Sequence, residues 1–190
     1  MRSVPTQATK TGVANVLLTA EQIQNRVAEL ARKISEDYKG RTLTAVGVLE
    51  NGFMFMSDLV RQLQVPVVCQ FIKPQLNEKV QGTSTATEIF YSPRINVKGQ
   101  DVLLIEGLVQ SGITSDFLLQ NLRTRGAASV KLAAFLDKSS ARRVELKPDY
   151  FGFILDESYV MGYGLGAPEL GRNLPYVVTA PQPADHTGFD

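Results

Sequence analysis

Apolar residues along the chain follow two patterns, one typical of amphipathic helices and one typical of buried strands. The clearest helical pattern follows Thr19 and ends near Gly40. Within it, apolar residues recur at spacings of four, three and four: Ile23, Val27, Leu30 and Ile34. This spacing predicts a helix with one buried face. Weaker patterns predict further helices over residues 53–64 and 114–125.

Short apolar runs between these helices predict strands. They cover residues 44–49, 67–72, 102–105, 131–136 and 150–154. Strands that alternate with helices at this spacing predict an α/β fold, with a mostly parallel sheet flanked by helices. Ligands of such sheets bind at the carboxyl ends of the strands. The polar stretch 74–88 is expected to form a long loop, with a hairpin towards Tyr91.

The length and charge of the chain indicate one domain and exclude several function classes. The 190 residues are enough for a single hydrophobic core, and we predict an arm (1–16), one domain (17–178) and a flexible tail (179–190). A net charge of +1 and the lack of a helix-turn-helix pattern argue against nucleic acid as a partner. Because neither a long apolar run nor a signal-peptide pattern is evident, we expect no membrane association and a cytoplasmic location.

The two residue types most often used as nucleophile and base each occur once. Cys69 lies within the apolar run 67–72, and is therefore predicted to be a small core residue. His186 lies in the polar tail. These positions argue against a Cys-His or Ser-His-Asp site.

The stretch 102–115 carries the most chemical information. An apolar strand leads into a loop of small residues that opens a helix, and Ser111, Gly112, Thr114 and Ser115 lie at the junction. Glycine lets the backbone approach a ligand, and the free N–H groups at the start of a helix bind phosphate. On these residues alone, an ordinary strand–helix turn with a serine cap fits equally well.

This stretch resembles the 5-phosphoribosyl-1-pyrophosphate (PRPP) motif of type I phosphoribosyltransferases. Further segments resemble hypoxanthine-guanine phosphoribosyltransferase in the same order, at 34–40, 46–49, 136–138, 148–153, 160–165 and 172–176. The resemblance covers residues 17–178. It implies a type I phosphoribosyltransferase fold with a small hood, assembled as a homodimer or homotetramer. It also implies the transfer of a purine base to PRPP with Mg²⁺, which yields IMP or GMP and pyrophosphate.

The resemblance also implies which residues would bind each part of the ligand. Those for the 5′-phosphate are Ser111, Gly112, Ile113, Thr114 and Ser115. Those for the purine are Lys138 at O6, Tyr159 stacked on the ring, and Val160 through its backbone. Those for pyrophosphate are Leu49, Glu50, Asn51, Gly52 and Arg172.

The chain departs from the family pattern at the acidic positions. Glu106-Gly107 replaces a pair of acids, so Glu106 is the one catalytic acid and metal ligand left there, and the second metal site is lost at Gly166. Gln110 replaces the acid that exchanges a proton with the purine, which an amide cannot do. Magnesium binding is therefore expected to be weak.

Two loops depart from the pattern as well. Glu50-Asn51 stands where the family has a lysine and a small residue, and a carboxylate there is expected to repel pyrophosphate. Leu76-Asn77 replaces the Ser-Tyr pair of the mobile lid.

These departures favour one function over two others. The favoured interpretation is a protein that binds a purine nucleotide or PRPP, with weak or lost transferase activity. The alternative is an active purine salvage enzyme that makes IMP or GMP from hypoxanthine or guanine. Transfer to a different acceptor base stays open.

Overall fold

The main sheet of the computed structural model contains six strands, five of them parallel. The structure describes residues 15–77, 86–91, 95–156, 159–166 and 171–180. The strands are, in spatial order, β4 (Ala86–Tyr91), β3 (Val67–Asn77), β2 (Leu43–Val48), β5 (Asp101–Val109), β6 (Ser129–Asp137) and β7 (Tyr150–Ile154). Only β4 is antiparallel to its neighbour. The predicted α/β class with a mostly parallel sheet is confirmed.

Helices cover both faces of this sheet. On one face, α1 (Ala20–Asp37) and α2 (Phe53–Val60) pack in one apolar cluster, and on the other face α3 (Ile113–Thr124) packs in a second cluster. The four apolar residues that predicted α1 are all buried. Thr19 caps this helix, since its hydroxyl accepts a hydrogen bond from the Gln22 N–H at 3.2 Å.

A separate three-stranded antiparallel sheet forms the predicted small hood. Its order is β1 (Val16–Leu18), β9 (Val177–Thr179) and β8 (Val160–Met161). The predicted arm and tail lie almost wholly outside the described residues, as does His186. Within the described parts of the chain, no helix combines the length and apolar character needed to cross a membrane.

Several predicted boundaries were wrong. Strand β5 continues to Val109, so Glu106 and Gly107 belong to the strand and not to the loop after it. Strand β3 continues to Asn77 and pairs with β4 in antiparallel fashion, as the predicted hairpin requires, so residues 74–77 and 86–88 of the predicted loop belong to strands. The Leu76-Asn77 side chains lie outside the described residues.

The predicted burial of Cys69 was also wrong. Its side chain is exposed, like those of Val68 and Phe71 in the same strand. Strand β3 lies one position from the edge of the sheet, and α1 and α2 pack over β2, β5 and β7 instead. An apolar run predicts a strand, but it does not say whether a helix covers that strand.

Candidate functional site

A cavity of about 270 Å³ opens at the carboxyl ends of the central strands. Its lining residues are Asn51, Leu108, Gln110, Leu136, Lys138, Leu155, Tyr159, Val160, Leu165 and Gly166. Six of these were singled out from the sequence, and the four leucines were not. Leu136 and Leu165 lie in segments that resemble the family, but nothing in the sequence assigns any of the four leucines to the ligand.

The strand ends and the hood position the polar side chains of this cavity. The backbone N–H of Lys138 donates to the Val109 carbonyl at 3.0 Å, which holds the end of β6 beside the end of β5 and so beside Gln110. From the other side, the Tyr159 carbonyl accepts from the Ala180 N–H at 2.9 Å, next to β9. The cavity therefore lies between the main sheet and the hood.

The expected phosphate loop begins α3 without a side-chain cap. Gly112 is the N-cap residue and adopts φ +81°, a left-handed conformation that favours glycine. The Ser111 hydroxyl accepts from the Ile113 N–H at 3.4 Å, a long contact. The first N–H groups of a helix have no acceptor within the helix, so those of Thr114 and Ser115 remain suited to an anion.

Arg142 covers this loop, although nothing in the sequence drew attention to it. Its Nη1 donates to the Gln110 carbonyl at 3.0 Å, and its Nη2 pairs with the buried carboxylate of Asp137. A Cβ on Gly112 would lie 2.9 Å from the Arg142 Cδ. Arg142 therefore fixes the shape of the loop and brings a positive charge close to it.

Glu106 does not line the cavity. It is buried, and its Oε1 has no hydrogen-bond partner among the described residues. Burial raises the pKa of Glu106 to about 7, while a hydrogen bond from Ser115 and the charge of Arg142 act in the opposite direction. The structure thus places Glu106 beneath the start of α3, beside Ser115 and outside the cavity lining.

The segment 49–52 packs closely against glycines. The Leu49–Glu50 peptide bond is cis. The Asn51 carbonyl oxygen would lie 2.3 Å from a Cβ on Gly107 and 2.9 Å from one on Gly164. A larger residue at either position would displace this segment, so the two glycines allow its close approach to the cavity.

Glu50 holds two cationic side chains at the edge of the cavity. Lys73 Nζ lies 2.8 Å from its Oε1, and Arg172 Nη1 lies 2.6 Å from its Oε2. Hydrogen bonding and charge attraction, first from Lys73 and then from Arg172, lower the pKa of Glu50. The expected repulsion of pyrophosphate by Glu50 is therefore offset by its two neighbours, and Lys73 was not foreseen.

The described residues do not fit a protein-held magnesium ion. Across residues 15–77, 86–91, 95–156, 159–166 and 171–180, no three His, Cys, Asp or Glu side chains are grouped as metal ligands. Glu106 is directed elsewhere, and Gly107 and Gly166 provide no side-chain oxygen. Magnesium prefers several hard oxygen ligands, which these residues do not supply.

Comparison with known proteins identifies the family. The family model for the phosphoribosyl transferase domain matches residues 15–167. The hypoxanthine-guanine phosphoribosyltransferase of Bacillus subtilis (strain 168) is 33% identical over 168 residues, which are 88% of this chain and 93% of that protein. The chain belongs to the hypoxanthine-guanine phosphoribosyltransferase family. The resemblance to this family is thus confirmed.

Two further comparisons agree with membership in the phosphoribosyltransferase family. The chain is 36% identical over 167 residues to the bifunctional protein TilS/HprT of Listeria monocytogenes serotype 4b (strain F2365); these residues are 87% of this chain but only about a quarter (26%) of that protein. A crystal structure of a hypoxanthine-guanine phosphoribosyltransferase from Bacillus anthracis superposes with a TM-score of 0.81 at 29% identity, covering 89% of this chain and 99% of that one.

Proposed function

We propose that this protein binds a purine nucleotide, IMP or GMP, or PRPP, and that its transferase activity is weak or lost. The main support for this proposal is the composition of the cavity lining. Among the described residues, the cavity beside the phosphate loop is lined by Gln110, Lys138 and Tyr159, but by no carboxylate. Such a cavity has groups that bind a base and lacks groups that exchange a proton with it.

The binding half of the proposal follows from the chemistry of the lining. Lys138 donates hydrogen bonds and suits an exocyclic oxygen such as purine O6. Tyr159 is 40% exposed at the rim, where its ring is available for stacking. The four leucines supply apolar surface for the faces of a base. The uncapped start of α3 would bind the 5′-phosphate.

The catalytic half of the proposal follows from Gln110 and Glu106. An amide hydrogen-bonds a purine nitrogen but cannot accept or return its proton at neutral pH. Glu106, the one acid left in the motif, is buried beneath α3. Within the part of the chain that the structure describes, the cavity lining would therefore offer no carboxylate to the ribose.

An active purine salvage enzyme is the second candidate. It is supported by 33% identity to the Bacillus subtilis enzyme along almost the whole of both chains. In this case Arg142, Lys73 and Arg172 would supply enough positive charge to stabilise the transition state without the acids. Homo-oligomeric assembly and a cytoplasmic location are also proposed, by resemblance and from the sequence.

One pair of measurements separates the two candidates. IMP, GMP and PRPP are titrated calorimetrically with and without magnesium, and product formation is assayed with hypoxanthine, guanine and xanthine plus PRPP. Nucleotide binding that does not require magnesium, with little or no turnover, supports the first proposal. Turnover equal to that of the Bacillus subtilis enzyme, measured in the same assay, would contradict the first proposal. Lack of binding by all three ligands would exclude both candidates.

A further inference from the structure

Three segments of the chain meet at the Glu50 carboxylate. Lys73 reaches one carboxylate oxygen from β3, and Arg172 reaches the other from the segment before β9. Each oxygen is thus paired with a different cation, at 2.8 and 2.6 Å. A carboxylate between two donors in this way resembles, in charge and hydrogen bonding, an oxyanion held by a basic site.

The resemblance already assigns the diphosphate group of the ligand to Arg172 and the segment 49–52. We propose that in this chain the Glu50 carboxylate occupies that site, between Lys73 and Arg172, until the diphosphate group of a ligand displaces it. This inference rests on the proposed function, because it assigns the diphosphate of PRPP, or free pyrophosphate, to the same cavity.

The site is open to solvent and adjoins the cavity. The side chains of Lys73, Glu50 and Arg172 are 44%, 46% and 21% exposed. Arg172 also donates through Nε and Nη2 to the Gly166 carbonyl at 3.3 Å, and Gly166 lines the cavity. A diphosphate bound at Lys73 and Arg172 would therefore lie next to a ligand in that cavity.

The charges favour displacement of Glu50 by a stronger anion. Two cations and one carboxylate leave the site with a net charge of +1 while Glu50 is in place. Pyrophosphate carries more negative charge than a carboxylate and has more acceptor oxygens, so it can satisfy both cations at once. Because Lys73 and Arg172 keep Glu50 ionised, it remains a competitor throughout the neutral pH range.

The direction in which one substitution changes pyrophosphate affinity tests the inference. Glu50→Gln keeps the shape of the side chain but removes the competing charge. We expect it to tighten the binding of inorganic pyrophosphate roughly threefold to tenfold, since a unit charge about 4 Å away contributes roughly 1 kcal/mol in water. Lys73→Ala and Arg172→Ala should each weaken binding by at least a similar factor. Binding is measured by titration calorimetry at low salt.

Glu29→Gln is the matched control. Glu29 forms an exposed ion pair with Arg26 on α1, and its substitution causes the same charge change away from the cavity. It should leave pyrophosphate affinity unchanged. Thermal unfolding of each variant checks that the fold is retained.

Several outcomes overturn the inference. They are an unchanged or weaker pyrophosphate affinity in Glu50→Gln, full affinity in Lys73→Ala, or no measurable pyrophosphate binding to either wild type or Glu50→Gln. IMP, which has a single phosphate, is titrated against the same variants. If IMP binds normally while the pyrophosphate series fails, the inference falls and the proposed nucleotide binding stands. If IMP, GMP and PRPP all fail to bind, the proposed function itself falls.

Discussion

The backbone carbonyl oxygen of Asn51 lies 2.3 Å from the position that a Cβ atom on Gly107 would occupy. The carbonyl carbon of Asn51 would be 2.7 Å away. Real Cβ atoms do not approach other atoms this closely. The position of the segment 49–52 therefore requires a glycine at position 107. Gly107, which replaces the second acid of the phosphate motif, is thus required for the packing of the neighbouring segment 49–52.

We therefore predict that Gly107→Asp destabilises the protein and does not by itself raise transferase activity. The new side chain would force the backbone at Asn51 to move, and overpacking of this kind costs about 1–3 kcal/mol. Urea unfolding and a turnover assay check both parts. Gly107→Ala should cost a similar amount, because the clash begins at Cβ. A Gly107→Asp protein as stable as the wild type would contradict this account.

Gln110→Asp is the single substitution expected to raise activity. Position 110 follows β5, is exposed and lines the cavity, so an aspartate fits without repacking. A carboxylate there can exchange a proton with the purine, and general acid–base catalysis contributes roughly 10²- to 10⁴-fold. We expect a gain near the lower end of that range, because the other acids stay absent.

The matched control for this prediction is Gln110→Asn. Asparagine has the size of aspartate but cannot exchange a proton at neutral pH. Initial rates with hypoxanthine and PRPP are compared for both variants and the wild type. Equal rates in the two variants would show that side-chain size, and not proton transfer, controls any gain.

Tyr159→Ala should weaken IMP binding about fivefold to a hundredfold, since stacking of a base on an aromatic ring contributes about 1–3 kcal/mol. Tyr159 is 40% exposed at the rim of the cavity. Phe117→Ala is the control, because Phe117 is 42% exposed and does not line that cavity. Calorimetric titration measures both. Equal losses would argue against stacking by Tyr159.

The fold could be predicted from the sequence because its signals are local. The spacing of Ile23, Val27, Leu30 and Ile34 is sufficient for α1, and alternating strands and helices are sufficient for the sheet class. The exposure of Cys69 could not be predicted, because it depends on which helices cover β3.

The sequence predicted only those residues of the candidate site that come directly after a strand. Gln110 and Lys138 come directly after adjacent strands, and parallel strands end at the same edge. Glu106 shows the limit of this argument. Leu104 and Leu108 pack in clusters on opposite faces of the sheet, although a regular strand would place both on one face. The alternation breaks between them, at Glu106 and Gly107, and no periodicity reveals this.

The pairing of Glu50 with Lys73 and Arg172 could not be predicted from the sequence either. Twenty-three residues separate Glu50 from Lys73, and 122 separate it from Arg172. The resemblance assigned Glu50 and Arg172 to pyrophosphate, but it did not predict that they pair with each other, and Lys73 had no assigned role. Only the fold shows that a carboxylate expected to repel phosphate is held between two cations.

Glu106 is expected to make the stability of the protein depend on pH. Its pKa of about 7 in the folded state lies above the ordinary value of 4.5, chiefly because of burial. The folded state therefore binds a proton more tightly than the unfolded state between these values. This contribution to stability is fully present below pH 4.5 and is lost as the pH rises through about 7. Glu106→Gln, which is neutral at every pH, should lack this loss.

The free energy of unfolding of wild type and Glu106→Gln is measured by urea titration at pH 5.5 and pH 8.5. Wild type should lose about 2 kcal/mol relative to the variant between these two values, because about 1.5 pH units lie between pH 5.5 and the folded pKa and each corresponds to about 1.4 kcal/mol. Glu145→Gln, a change at an exposed carboxylate, controls for the general effect of removing a negative charge.

If the stabilities of wild type and Glu106→Gln change in parallel, the Glu106 carboxyl is already ionised at pH 5.5. Glu106 would then be available as an anionic group near the phosphate loop, and the case for weak or lost activity would be correspondingly weaker.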